Sequence, residues 1–568
     1  MSTDMSPTAL NNDILLSITS ISPPKVAVSI MGTCRLLYHE GAKIVLQSPV
    51  NLDGSEQEAL ALLRFVQAEN LTRCPYVRTL HILMDAVPRS VANVLAKVVP
   101  RLTGLDRLAL SGDQMFEAHP PLLPLFASLR SVKTLLVLDA GERCCKLVRT
   151  LQSALVSATI HFERMQAATL SLTAATHPVL LLERSAATLE TLSCGFLCNT
   201  NPELTFFPPP ITYPKLRSLA LANSIYPDPI PFIRAAPNLA DLALENGTMV
   251  ISGGHLHMTE LQRAMNLELQ GDSSSSSPSS SPSSSPSPSP FPLPGLDFGS
   301  APCRWEHLEA FKGRVVDLWM LGLACRIPSL LLTDAPASRP PSALTEALAH
   351  ARPTLLQLSF RGQPLTDVLG PPDSESSDFK TALRAQGAAG MNMNLNLKRL
   401  VVQVDVMPQD RGMDVGRALD ELASVISDSG LDLCHLQLGV HDGGLSNTAA
   451  PASSSASAAH QHGDTTSTST STGAAHACAS CACSVPAPVD RASLSVAERT
   501  LDELDVHEYA KRLMGSLPSL TDAVVRIDRP DRCGGSQRIA ILGIGREVMM
   551  CTGGELVYRE ITTAQHEH

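Results

Sequence analysis

Three stretches, AATLETLSC (186–194), YPKLRSLAL (213–221) and APNLADLAL (236–244), share one core, Leu-x-x-Leu-x-Leu, with Cys194 in the last position of the first. Apolar residues at every second position suit a strand with one face buried. LTGLDRLAL (102–110) carries the same core, and CPYVRTLHI (74–82), LRSVKTLLVL (129–138) and MQAATLSL (165–172) carry it with Val, Ile or Ala at one or two of its positions. Leu80 and Leu108, Leu192 and Leu219, and Leu219 and Leu242 are 28, 27 and 23 residues apart. That period accommodates one strand and one helix per repeat. Between the strands, VANVLAKVVPRL (91–102) and CKLVRTLQSALV (145–156) carry apolar residues at helical spacing, as does QEALALLRFVQAENL (57–71). Strand-helix alternation at this period stacks into a parallel sheet with helices outside it, so the expected class is α/β.

These seven strands in order, built on Leu-x-x-Leu-x-Leu or its apolar variants, resemble leucine-rich-repeat proteins. The resemblance implies an irregular solenoid over 57–440, strands lining its concave face and helices its convex one. A non-repeating α/β domain with leucine strands is the alternative. Further strands are expected at CRWEHLEAFKG (303–313), RVVDLWML (314–321), RPTLLQLSF (352–360), LKRLVVQV (397–404) and DLCHLQLGV (432–440), with helices at SALTEALAHA (342–351) and VGRALDELASVI (415–426) and a loop at 387–396. Two tracts interrupt the pattern. GDSSSSSPSSSPSSSPSPSP (271–290), within an insertion over 271–302, and a Ser/Thr/Ala-rich stretch over 441–492 have too little apolar surface to offset chain entropy, and are expected to be disordered. The last segment, 493–568, reads as a helix (493–514), a strand (520–527) and a β-hairpin around Gly553-Gly554, a cap for the array's edge.

The front of the chain differs. LNNDILLSITSISPPKVAVSIMGTCRLLYHEGAKIVL (10–46) predicts three short helices. Asn11 or Asn12 caps the first, Pro23-Pro24 ends it, and Gly32-Thr33 separates the second from a third that Thr33 can cap. Leu10, Ile14, Leu15, Ile18 and Ile21 fall at steps of three to five, an apolar stripe. Residues 8–47 resemble an F-box as found in fungal proteins, through Leu10-x-x-Asp13-Ile14-Leu15-x-x-Ile18, Val28 and Thr33-Cys34-Arg35-Leu36-Leu37-Tyr38. Asn11 and Asp13 stand where that family's pattern carries proline and glutamate. The resemblance implies docking on a Skp-family adaptor within a cullin-RING ubiquitin ligase through Leu10, Ile14, Leu15, Ile18, Val28, Cys34 and Leu37, with the repeats holding a substrate protein. The alternative is a helical cap over the first repeat.

Composition narrows the function. Aromatic residues are 4% against 44% apolar overall, so the core is aliphatic. A net charge of −11 argues against a nucleic-acid partner. No basic leader precedes an apolar stretch and no apolar run reaches about eighteen residues, so neither a secretory signal nor a membrane span is expected. Scattered cysteines such as Cys194 and Cys434 read as reduced thiols of a cytoplasmic or nuclear protein. Cys478, Cys481 and Cys483 with His460, His462 and His476 offer zinc-type ligands, but in a low-complexity setting without a second Cys pair, and no metal or other cofactor is expected. Leu542-Gly543-Ile544-Gly545 is half of a dinucleotide loop, and no nucleophile elbow, phosphate loop or zinc-protease motif occurs. The sequence points to a binding protein, not an enzyme.

Overall fold

A computed structural model describes residues 11–84, 86–162, 177–196, 211–223, 229–245, 304–323, 325–333, 342–369, 378–393, 397–443, 494–529, 536–543, 546–550 and 556–559, with isolated positions between 260 and 270 and at 340 and 445. The chain divides into two compact units, residues 1–359 with 389–398, and 360–388 with 399–568.

In the first unit, three helices lead: α1 (Asn12–Ile21), α2 (Pro24–Met31) and α3 (Arg35–Val45). The Asn11 side chain accepts from the Asp13 amide at 3.1 Å, and Pro24 opens α2 at the position where its missing N–H costs nothing. Thr33 does not cap α3. Its hydroxyl donates back to the Ile30 carbonyl, and extended Cys34 takes the cap position. Helix α4 (Glu56–Gln67) begins with a reciprocal Ser55–Glu58 capping box.

The sheet of this unit runs in chain order. Strands β1 (Val50–Leu52), β2 (Thr79–Ile82), β3 (Arg107–Ser111), β4 (Thr134–Ala140), β5 (Ser157–Phe162), β6 (Thr191–Gly195), β7 (Ser218–Ala222), β8 (Asp241–Glu245), β9 (Ala310–Arg314), β10 (Ser329–Thr333) and β11 (Leu355–Phe360) each pair in parallel with the next. The leucines matched by sequence spacing face one another: Leu80 opposite Leu108, Leu192 opposite Leu219, and Leu219 opposite Leu242. The row continues through Leu135, Ala158, Phe311, Leu330 and Leu356, all buried. Burying each leucine is worth about 1.5–3 kcal/mol.

A second device repeats at the strand entries. The Asp106 carbonyl accepts from both the Lys133 and Thr134 amides, and Lys133, Val156, Glu190, Arg217 and Ala240 repeat this for the strand that follows. Buried hydroxyls complete the accounting. Ser153 donates to the Leu129 carbonyl at 2.7 Å and accepts from the Val132 amide, and Ser185 accepts from the Leu155 amide at 3.1 Å.

Several sequence expectations need correction. The strand expected at 165–172 lies outside the described residues, and the fourth strand of the leucine row is β5, led by SATIHF. Its alternating Ala158, Ile160 and Phe162 bury as leucines do elsewhere. The helix expected over 145–156 is Glu142–Thr150. RVVDLWML is a helix from Val315 to Leu321, not a strand: all seven of its residues are buried, and a two-sided apolar run lacks the alternation that separates strand from helix. The strand beside it starts at Ala310, and SLLLT supplies the unforeseen β10. The expected loop over 387–396 is helical through Met393, within Asp378–Met393.

In the second unit, β12 (Arg399–Val406), β13 (His435–Asp442) and β14 (Asp522–Arg529) are parallel, and β15 (Ser536–Gly543), β16 (Arg546–Met550) and β17 (Leu556–Arg559) continue antiparallel. The C-terminal hairpin is β16–β17, and β15, not foreseen, absorbs Leu542-Gly543. The single helix expected over 493–514 is two, Val496–Glu503 and Val506–Ser516, because Asp505 caps a new start by accepting from the His507 and Glu508 amides. Buried Asp410 accepts from the Met407, Leu365 and Thr366 amides, closing a turn in this unit.

Among the described residues, no helix is long and apolar enough to cross a membrane. Buried thiols include Cys74 and Cys325, each pushed up to about 11 by burial, and Cys194 is wholly enclosed, whereas Cys434 is half-buried.

His177 gives a pH test. Burial lowers its imidazole to about 4, whereas the unfolded chain restores about 6.5. The unfolded state therefore binds more protons between these values, so stability is full above pH 6.5 and falls as pH drops towards 4. Denaturant midpoints at pH 7.5 and 5 should show a loss of about 2 kcal/mol from this group, and His177→Gln should shrink the difference.

Candidate docking surfaces

The helices α1–α3 have two faces of opposite character. Inward, Thr19, Ala27, Met31, Leu37, Ala42 and Leu46 are buried. Gly41 lets α3 approach the other two: a Cβ there would meet the Met31 Cγ at 2.6 Å and the Thr19 methyl at 3.7 Å. Outward, large apolar side chains stand exposed among serines and a few other polar residues. Eight large apolar side chains are exposed among the described residues, and seven of them, Ile14, Ile18, Ile21, Val26, Val28, Leu36 and Tyr38, lie in this segment. Ile21 is 83% exposed, Val28 51% and Ile14 49%. Between Asn11 and Cys34 only Asp13 and Lys25 carry charge. Exposed apolar side chains concentrated in this way mark an interaction site more often than a free face.

The residues expected to dock divide accordingly. Ile14, Ile18, Val28 and Cys34 are exposed, and Leu15 is half-buried. Leu37 is 0% exposed and belongs to the inner face, a correction to its expected role. Helical phase explains it, since Leu37 lies four residues from Gly41, on the side that packs against Met31. Leu10 lies outside the described residues. Ile21, Val26, Leu36 and Tyr38 join the surface without having been singled out for docking. A helix-by-helix count of apolar positions against the available inner face is the signal that would have found them.

The helix trio packs its backbone mainly against itself, and no comparably close packing ties it to β1, β2 or α4. Its tie to the rest is a side-chain cluster. Arg73, 2% exposed, donates to the Glu69 carboxylate at 2.8 Å and reaches the Tyr38 carbonyl of α3 at 3.5 Å. Its guanidinium lies 4.3 Å from the Tyr38 ring centroid and 4.5 Å from that of Phe65. Glu69 also meets the His39 ring at 2.9 Å. The hydrogen bond from Arg73 holds the Glu69 carboxyl below the usual carboxylate range.

A second surface lies on the strand face away from the leucine row. Thr159, Ser193, Ala220, Ala243 and Lys312 are in register across β5–β9, and His161, Gly195, Ala222 and Glu245 form the next row. The floor is thus of small side chains over β6–β8, bordered by His161, which leaves 2.8 Å for a Cβ at Gly195, and by the Glu245–Lys312 ion pair at 2.8 Å. Among the described residues no group of three or more His, Cys, Asp or Glu is placed to hold a metal ion. The Cys478–Cys483 and His460–His476 cluster lies outside those residues.

The two faces of the trio predict opposite responses. Ile21→Ser and Val28→Ser should change stability by no more than about 0.5 kcal/mol, whereas Leu37→Ala should cost about 2–5 kcal/mol, read by denaturant melts of the full chain. No protein-family model matches this chain, and no curated protein matches it in sequence.

Proposed function

We propose that the chain is a non-catalytic substrate receptor of a Skp–cullin–F-box type ubiquitin ligase. The exposed side chains of α1–α3 dock on the Skp-family adaptor, as the F-box resemblance implies, and the strand array, read as a leucine-rich-repeat solenoid, holds the substrate protein. The reaction chemistry belongs to other subunits. This chain contributes proximity, raising the local concentration of substrate lysines beside a charged conjugating enzyme.

The observation that carries the reading is the concentration of exposed apolar side chains on the trio, seven of the eight among the described residues. Their near-neutral surroundings favour an apolar partner surface over charge-steered capture. The floor of small side chains bordered by His161 and Glu245–Lys312 supports the second half, because it leaves room for a partner's larger side chains.

A second reading is an interaction scaffold without a ubiquitin link, the trio serving as a cap. The Arg73 tie to Tyr38 favours it. Pull-downs with a Skp-family adaptor separate the two. Full-length protein should retain the adaptor, and deletion of residues 1–47 or the substitutions Ile14→Asp, Ile18→Asp and Val28→Asp together should reduce retention at least tenfold without unfolding the array. Absence of adaptor binding by the folded full-length chain would leave only the scaffold.

A further inference from the structure

The junction between the helix trio and the strands contains an unusual group of side chains. Helix α4 ends at Gln67, and the next turn places Glu69, Asn70 and Leu71 at φ of 55°, 56° and 70°. Three successive left-handed non-glycine residues are a costly conformation that persists only where surrounding contacts impose it. Here they bring Glu69 to Arg73 and His39 at once. Arg73 is buried, yet its Nε and Nη1 have no hydrogen-bond partner among the described residues. The planar cation sits instead against the Tyr38 and Phe65 rings, one from α3 and one from α4, an arrangement available to guanidinium and not to ammonium. Around it, Lys43 pairs with Glu40 at 2.7 Å and lies 5.6 Å from the Tyr76 ring. The remaining covalent tie is the short link from Leu46 to Pro49 before β1.

We propose that Arg73, held by Glu69 and gripping Tyr38, is a latch that fixes the helix trio on the strand array, and that opening it frees the trio as a body without unfolding the strands. Arg73 and Glu69 are positioning residues: they set where the apolar surface points and touch no partner. The trio can move as a body because its helices pack on one another, with Gly41 of α3 lying close against Met31 of α2 and Thr19 of α1. The consequence for delivering a substrate rests on the ligase reading, whereas the latch itself does not.

Hydrogen exchange on the full chain tests this without any partner. Arg73→Met keeps much of the side chain's volume and removes the planar cation. It should speed amide exchange in the α1–α3 backbone at least tenfold relative to the parent, leaving β3–β7 unchanged. Arg73→Lys should behave as Arg73→Met does, since a point charge does not bridge two rings. Glu69→Gln, at a partly exposed position, should act in the same direction by about threefold, and it decides the matter alone if the Arg73 variants fail to fold. Unchanged exchange in α1–α3 in the folded variants would overturn the latch, and so would an equal rise in α1–α3 and in β3–β7, which would make Arg73 part of a single cooperative core. Loss of adaptor binding in the parent chain bears on the ligase reading only and leaves this result standing.

Discussion

Register holds the first unit together. Each strand from β2 to β11 adds one apolar side chain to a row running from Leu80 through Leu108, Leu135, Ala158, Leu192, Leu219, Leu242, Phe311 and Leu330 to Leu356, and from Arg78 to Ala240 each strand entry shares one carbonyl between two amides of the next. The two devices reinforce one another. A slip of one residue would turn every apolar side chain to the opposite face and would also break the doubled hydrogen bonds at the entry. Position along the strand is therefore fixed twice, once by burial and once by polar satisfaction.

Much of this was legible because leucine spacing and strand pairing are one geometric fact. Leu80 and Leu108, 28 residues apart in the sequence, are neighbours in space. The strands read from alternation, such as LRSLALA and LADLALE, stand where expected. Legibility failed where alternation was weak or doubled. VVDLWML is apolar on all sides and became a helix, and SATIHF, with one small and two large apolar residues, was passed over although its register matches. Helix ends were missed where a cap or proline intervened, as at Asp505 and Pro100.

The front helices show a different limit. Periodicity identified the apolar stripe but not which part of it the helices use on each other. Leu37 and Val28 look alike in a linear pattern, yet one is enclosed and the other half open. Gly41 is the residue that separates them, since close approach of α3 to Met31 consumes the Leu37 side of that helix. Arg73 was invisible for a further reason: its importance comes from residues 35 positions away, through a turn whose left-handed backbone no composition announces.

The shared-carbonyl geometry of the strand entries has a consequence for how such a chain can change. Strand β9 meets β8 in register, Asp241 opposite Ala310, although residues 246–309 separate them, while β7 and β8 meet the same way across residues 223–240. Closing a longer connection costs only slowly more with length. Neighbouring strands are aligned along their inner faces and at both ends, since at the exits the Phe196 amide donates to the Ala222 carbonyl and the Asn223 amide to the Glu245 carbonyl. Alignment therefore depends on the paired residues and not on the length of chain between them, and the β8–β9 connection can lengthen or shorten while the frame on either side of it stays the same.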